Sequence, residues 1–250
     1  MRLGEATQIT IGTTNITASA EFYEKMGFRI IADGEEPNKW LQMTDDALLL
    51  LLNEDQMEYV GLTYFSSRMD YNVERLENSG VSFVHKSERD DKFFQGIFLS
   101  PDGFGISLVN FDPDGSFQPK RINLLNFPKE YYNDTEKFPN KSLGIFGEFS
   151  HPVKSLDNSL SFWRTLGFSV LSLNQQPYPW SIISDDLNLM GLHQTDDFKY
   201  PALTYFAPDM NLRILNLKKA GIHSIEDLGN NNTSFLVMGP DNIRFFLFSL

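Results

Sequence analysis

Apolar and polar positions alternate from Gln8 to Thr14 in QITIGTT, the period-2 pattern of a strand with one buried face. The period then changes. SAEFYEKMGF, residues 19–28, repeats its apolar positions at helical spacing; Asn15 or Thr17 is placed to cap this helix and Gly27 to end it. Three strand segments follow, FRIIA, KWLQM and ALLLLLN, separated by the turn chemistry of DGEEPN and TDD. The same order restarts at residue 60: VGLTYF as a strand, MDYNVERLENSG as a helix closed by glycine, then VSFVHK, GIFLS and FGISLVN as strands. Each half-cycle reads strand, helix and three strands.

The second half of the chain repeats the first. Phe22-Tyr23 matches Phe162-Trp163 at a shift of 140, and Gly27-Phe28, Trp40 and Asp45-Asp46 match Gly167-Phe168, Trp180 and Asp185-Asp186. LTYF at 62–65 returns at 203–206, and Pro101-Asp102 returns as Pro240-Asp241. A shift held at 139 to 141 over this length leaves almost every loop at its original size, which chance does not produce. The pattern predicts an α+β chain of four βαβββ modules, with one domain at 1–111, a second at 143–250 and a turn-rich connector at 112–142. The aromatics Phe127, Tyr131, Tyr132 and Phe138 predict a connector that packs rather than floats.

Charge and composition narrow the function. A formal net charge of −12 with no run of Lys or Arg argues against nucleic acid and anionic membrane surfaces as partners. The absence of cysteine excludes disulfides, thiolate metal sites and cysteine nucleophiles. ALLLLL is far short of a membrane span and the first residues hold no secretory core, so the expected location is cytoplasmic. No P-loop, Gly-rich dinucleotide loop or nucleophile elbow occurs, and DPDG at 112–115 reads as a turn.

FYEKMGF, SPDGFGISLVN, SFWRTLGF and GPDNIRFFLF, in this order and duplicated, resemble the signatures of the vicinal oxygen chelate superfamily, which includes glyoxalase I, bleomycin-resistance proteins and extradiol ring-cleaving dioxygenases. The resemblance covers both halves and omits mainly the connector. It implies that the four modules form two glyoxalase-like, eight-stranded open cups, each built to hold a small ligand. It also implies three metal-ligand positions per cup, usually His or Gln, then His, then Glu. Carried over, these positions fall on Gln8, Gly61 and Ser107 in the first cup and on Glu148, Ala202 and Phe246 in the second. Glycine, alanine and phenylalanine offer no side-chain donor, so neither set reaches the usual three ligands of a transition metal. The expectation is a metal-free and cofactor-free protein that binds a small molecule; the alternative is a lactoylglutathione lyase-like enzyme or ring-cleaving dioxygenase with displaced ligands. Two complete cups in one chain make a monomer or weak homodimer sufficient.

Alternation puts Gln8, Thr10, Thr63 and Ser107, with Gly12 and Gly105, on the first cup's inner face, and Glu148, Ser150, Arg244 and Phe246 on the second's. These positions predict ligand contacts at Gln8, Thr10, Thr63, Ser107, Glu148 and Arg244, with Arg244 paired to Glu148 across the sheet. His151, three residues past Glu148, should face the helices, and His85 and His223 should be peripheral. Trp40 and Trp180 are expected in core packing or as a cavity wall. Asp45-Asp46 and Asp185-Asp186 are expected as solvated turns.

Overall fold

The computed structural model describes residues 2–87, 95–229 and 233–250. The first module is β1 (Ala6–Gly12), α1 (Ile16–Lys25), β2 (Arg29–Gly34), β3 (Trp40–Thr44) and β4 (Leu49–Asn53). The second is β5 (Tyr59–Ser66), α2 (Met69–Asn78), β6 (Phe83–Lys86), β7 (Gln95–Leu99) and β8 (Gly105–Asn110). The third is β9 (Ile145–Pro152), α3 (Leu156–Thr165), β10 (Ser169–Asn174), β11 (Trp180–Ser184) and β12 (Leu189–His193). The fourth is β13 (Ala202–Ala207), α4 (Met210–Lys219), β14 (Ile225–Asp227), β15 (Ser234–Met238) and β16 (Arg244–Ser249).

The four helices share one design. Each buries positions 1, 4, 5 and 8: Ile16, Ser19, Ala20 and Tyr23 in α1, and Leu156, Ser159, Leu160 and Trp163 in α3. That i, i+3, i+4, i+7 stripe is the face a helix lays on a sheet. Asn15 accepts the Ala18 N–H at 3.1 Å to cap α1, and Ser155 caps α3. Gly27, Gly80, Gly167 and Gly221 follow the helix ends at φ +89°, +85°, +100° and +90°, the left-handed turn that stops each helix cheaply only at glycine.

The strands form two eight-stranded sheets of identical order, β2-β3-β4-β1-β5-β8-β7-β6 and β10-β11-β12-β9-β13-β16-β15-β14. β5 runs parallel to β8 and β13 parallel to β16, while the hairpins are antiparallel. Both sheets are therefore mixed, and each stays within one half of the sequence. Compactness divides the chain differently. One unit comprises Met1–Thr10, Val60–Gln118 and His151–Lys199; the other comprises Ile11–Tyr59, Pro119–Ser150 and Tyr200–Leu250. Each unit thus takes chain from both halves.

The repeated sequence landmarks explain how. In the first unit the Tyr64 hydroxyl donates to Asp185 Oδ2 at 2.6 Å; in the second, Tyr205 donates to Asp45 Oδ2 at 2.6 Å. Asp45 is 2% and Asp185 5% exposed, so the expectation of solvated turns fails for both. Their other oxygens accept backbone N–H groups of their own turns, from Ala47 and Leu48 and from Leu187 and Asn188. Burial pushes both carboxyls above the usual range, against the opposing effect of these hydrogen bonds. Asp46 and Asp186, at φ +71° and +70°, form the turn proper. The Pro-Asp repeat works alike: Asp102 accepts the Ser159 hydroxyl at 2.5 Å and the Lys154 N–H at 2.9 Å, and Asp241 accepts the Ser19 hydroxyl at 2.9 Å.

The connector is ordered by its aromatics. Phe127 and Phe138 are buried with ring centroids 5.6 Å apart, Tyr132 stacks on Phe127, and Arg213 lies over the Phe138 ring at 5.2 Å.

Candidate functional site

In each sheet one face is closed by helix packing and the other carries the polar residues singled out in the sequence. In the first, Ile9, Ile11, Leu62, Tyr64, Ile106 and Leu108 are buried core, so the intervening Gln8, Thr10, Thr63 and Ser107 occupy the opposite face. Register brings these together. Thr63 pairs with Ser107 and Gly61 with Gly105 across β5 and β8. The Thr10 and Thr63 hydroxyls lie 2.7 Å apart, and Gln95 Nε2 donates to Ser107 Oγ at 2.9 Å. Gln8 is buried in the same strand. A side chain added at Gly105 would meet nothing within 4 Å, so this part of the face is open. Gln95 was missed in the sequence; nothing in its segment marks it as polar lining.

The proton inventory of this patch follows from its geometry. Thr10 and Thr63 share one of their two hydroxyl protons, leaving the second for a ligand. Ser107 accepts from Gln95, so its own proton is also available. The patch offers both donors and acceptors and carries no formal charge.

In the second sheet the row across β9, β13 and β16 is Glu148, Thr204, Phe246. Ala202, the position carried over from the resemblance, is not in this row. Ala202 sits in the next row, between Ser150 and Arg244. In the first sheet, likewise, Ser107 pairs with Thr63 and Gly61 with Gly105. Thr204 was legible in principle as the LTYF counterpart of Thr63. A register shift in β9 at Gly147 changes the pairing from Thr204–Glu148 to Tyr205–Phe146. A Cβ at Gly147 would meet the Phe206 ring at 2.4 Å, so only glycine lets that ring lie over the strand.

Glu148 is 8% exposed and accepts the Ser150 hydroxyl at 2.6 Å; Ser150 and Thr204 oxygens are 2.7 Å apart. The expected Arg244–Glu148 ion pair does not form. Arg244 lies one row away, donates to the Ile243 carbonyl at 3.3 Å and places its guanidinium 4.8 Å from the Tyr200 ring centroid. The cation is held by an aromatic face at its own end of the strand.

His151 faces the helix side, as alternation predicts. It is buried 4.7 Å from the Phe104 ring, and neither ring nitrogen has a hydrogen-bond partner. Burial, against a smaller attraction from Asp102, lowers its pKa to about 4. His85 and His223 are exposed, and His193 stacks on Trp180, ring centroids 5.9 Å apart. Trp40 is half-buried and covers Gly34. A groove of about 320 Å³ on the α4 side of the second unit is lined by Ile214, Leu215, Ile225 and Phe235, with Lys218 and Asp227 beside them, and lacks a comparable polar constellation.

Among the described residues, no group of three or more His, Cys, Asp or Glu side chains converges as a metal centre. No helix among them is long and apolar enough to cross a membrane.

Searches with the sequence alone find no matching family model and no matching curated protein. The structure does match solved ones. A catechol 2,3-dioxygenase superposes with a TM-score of 0.60 at 14% identity, over 100% of this chain and 89% of that one. Homoprotocatechuate 2,3-dioxygenase from Arthrobacter globiformis gives 0.63 at 12% identity, over 100% and 80%. The Brevibacterium fuscum enzyme in complex with 3,4-dihydroxyphenylacetate gives 0.62 at 12%, over 96% and 78%. The fold is that of the vicinal oxygen chelate proteins. At such identities the likeness speaks for the fold and leaves chemistry to the residues. At the positions carried over from the resemblance, this chain has Gln8, Gly61 and Ser107 in one sheet and Glu148, Ala202 and Phe246 in the other. Glycine, alanine and a phenyl ring offer no side-chain donor and the Ser107 hydroxyl already accepts from Gln95, so these sets do not fit a transition-metal centre.

Proposed function

We propose that the chain is a small-molecule binder that uses the polar face of its first sheet without metal chemistry. The observation that carries this is the hydroxyl pair Thr10–Thr63 at 2.7 Å, in register with Ser107 and beside the open position over Gly105. Each of these groups has hydrogen-bonding capacity left over, and none carries charge. Such a patch suits a neutral ligand rich in hydroxyls, held by several directional bonds. The dioxygenases of the same fold act, by their names, on catechol and homoprotocatechuate, which sets the scale of a fitting ligand. Thr10, Thr63, Ser107 and Gln95 are hydroxyls and an amide, and their proposed role is to bind rather than to catalyse.

Calorimetric titration of catechol and related small polyols into the full chain tests the reading, with Thr63→Val as the comparison. Binding by the wild type, weakened about tenfold or more by removing one hydroxyl, is expected. Equal affinity in wild type and variant, or no binding across the series, overturns it.

A further inference from the structure

The duplication provides an internal comparison that singles out one sheet edge. At the shift of 140, residues 165–184 of the second copy match 25–44 of the first. Both stretches fold alike. β2 pairs with β3 and β10 with β11 in the same register, each with a shift after the second residue of its outer strand. Their charge differs. The first stretch carries Lys25, Arg29, Asp33, Glu35, Glu36 and Lys39; the second has no Asp, Glu, Lys or Arg and is the longest charge-free run in the chain. Glu35 and Glu36 are answered by Gln175 and Gln176, which keep the side-chain shape and discard the charge, and Asp33 is answered by Leu173.

The location of these changes gives them meaning. β2 and β10 are outermost strands of their sheets. An outermost strand offers unpaired backbone groups to any other chain, and exposed charge is a common device that keeps such edges apart. β2 has that protection: Arg29, Asp33, Glu35, Glu36 and Lys39 are all exposed. On β10, Leu171 is instead 50% and Leu173 56% exposed, with exposed Ser169, Gln175 and Gln176 around them. Past the shift, Ser172, Leu173 and Asn174 pair regularly with Ile182, Ser181 and Trp180, so the regular part of the edge is the part that bears Leu173.

We propose that the β10 edge is a contact surface between two copies of this chain, joined about a two-fold axis with Leu171 and Leu173 of one copy against those of the other. Charge decides for a second copy. At a formal net charge of −12, two copies repel over most of their surface, and approach is least opposed where neither brings a charge. A basic partner would be drawn to the acidic surface elsewhere and would gain nothing from an uncharged edge. Antiparallel contact of identical edges is self-complementary, so it closes at two copies. A short strand edge with two leucines belongs with the weak interfaces below about 1,200 Å², which makes the dimer concentration-dependent. The contact is independent of ligand binding on the polar face of the first sheet.

Sedimentation velocity of the full chain from about 5 to about 500 μM tests the proposal. Wild type should shift from monomer toward dimer across that range. Raising the salt from about 50 to about 500 mM should favour the dimer by screening the net charge. Leu173→Asp, which places at this exposed position the residue type the first copy already carries, should weaken association at least about tenfold, because two like carboxylates then face each other across the axis. Leu173→Lys is a second variant with the same expectation and the opposite sign of charge. Ile30→Asp, at a 42% exposed position of the β2 edge, should leave association unchanged. Thermal melts show which variants are folded. A wild type that stays monomeric throughout overturns the proposal, as do oligomers that grow past the dimer, association that weakens with salt, or a dimer that survives in a folded Leu173 variant.

Discussion

Acidification offers a direct probe of the buried histidine. His151 sits in β9 with both ring nitrogens unpartnered, the Phe104 ring 4.7 Å away, Asp102 exerting an attraction and His193 a repulsion. Its pKa is lowered from 6.5 to about 4, first by burial. A base with a depressed folded pKa stays neutral in the fold while the unfolded chain takes up a proton. Stability is therefore intact above pH 6.5 and is lost as pH falls through the window from 6.5 to 4. At about 1.4 kcal/mol per pH unit, the full loss is about 3 kcal/mol, of which about 2 kcal/mol falls between pH 7.5 and 5. The repeat supplies the replacement: at a shift of 140 the counterpart of His151 is Ile11, fully buried in the first sheet. Urea unfolding of wild type and His151→Ile at pH 7.5 and pH 5 should show the variant gaining about 2 kcal/mol relative to wild type on acidification. Asp45, Asp185 and Asp241, whose carboxyls burial pushes upward, act in the opposite sense at low pH, but they are common to both proteins and cancel. A wild-type-minus-variant difference that stays flat within about 0.5 kcal/mol, or an NMR titration placing the folded imidazole at its ordinary value, would refute the argument.

Tyr205→Phe leaves Asp45 Oδ2 with only Asn140, 3.2 Å away, and should cost about 1–3 kcal/mol at neutral pH in urea unfolding. Because the lost hydrogen bond held the Asp45 pKa down, the variant's carboxyl takes up its proton at higher pH, and the penalty should fade as the solution is acidified. Gly147→Ala forces a methyl into the Phe206 ring and should cost about 1–3 kcal/mol, whereas Gly105→Ala, with no atom within 4 Å of the new carbon, should stay within about 0.5 kcal/mol by the same assay. Ser159→Ala removes one partner of Asp102 while the Lys154 N–H remains, for a loss of about 1 kcal/mol in thermal or urea melts.

Local patterns specified the elements well, because the information lies within a few residues. Asn15, Gly27 and the apolar positions 1, 5 and 8 of each helix need nothing distant to be read, and the 140-residue shift set the module order. What failed depends on partners remote in sequence. Asp45 looks like a turn residue because the tyrosine that buries it lies 160 positions away. That Thr63 lies abreast of Ser107 and Thr204 abreast of Glu148 is decided by strand pairing, with a shift in β9 at Gly147, and is not written in any one segment. Arg244 was assigned to Glu148 by face alone; the face was correct, but the row was not, and Tyr200 offered the guanidinium a closer partner.

The exchange of modules has a consequence for anyone who would dissect the chain. Severing it in the connector yields two fragments, neither holding a whole compact unit: Tyr64 loses Asp185, Tyr205 loses Asp45, and four inward-facing polar groups are stranded. Each fragment alone should be poorly soluble or molten, while co-expression should recover a folded heterodimer, as though the covalent link merely kept two interlocked copies from parting.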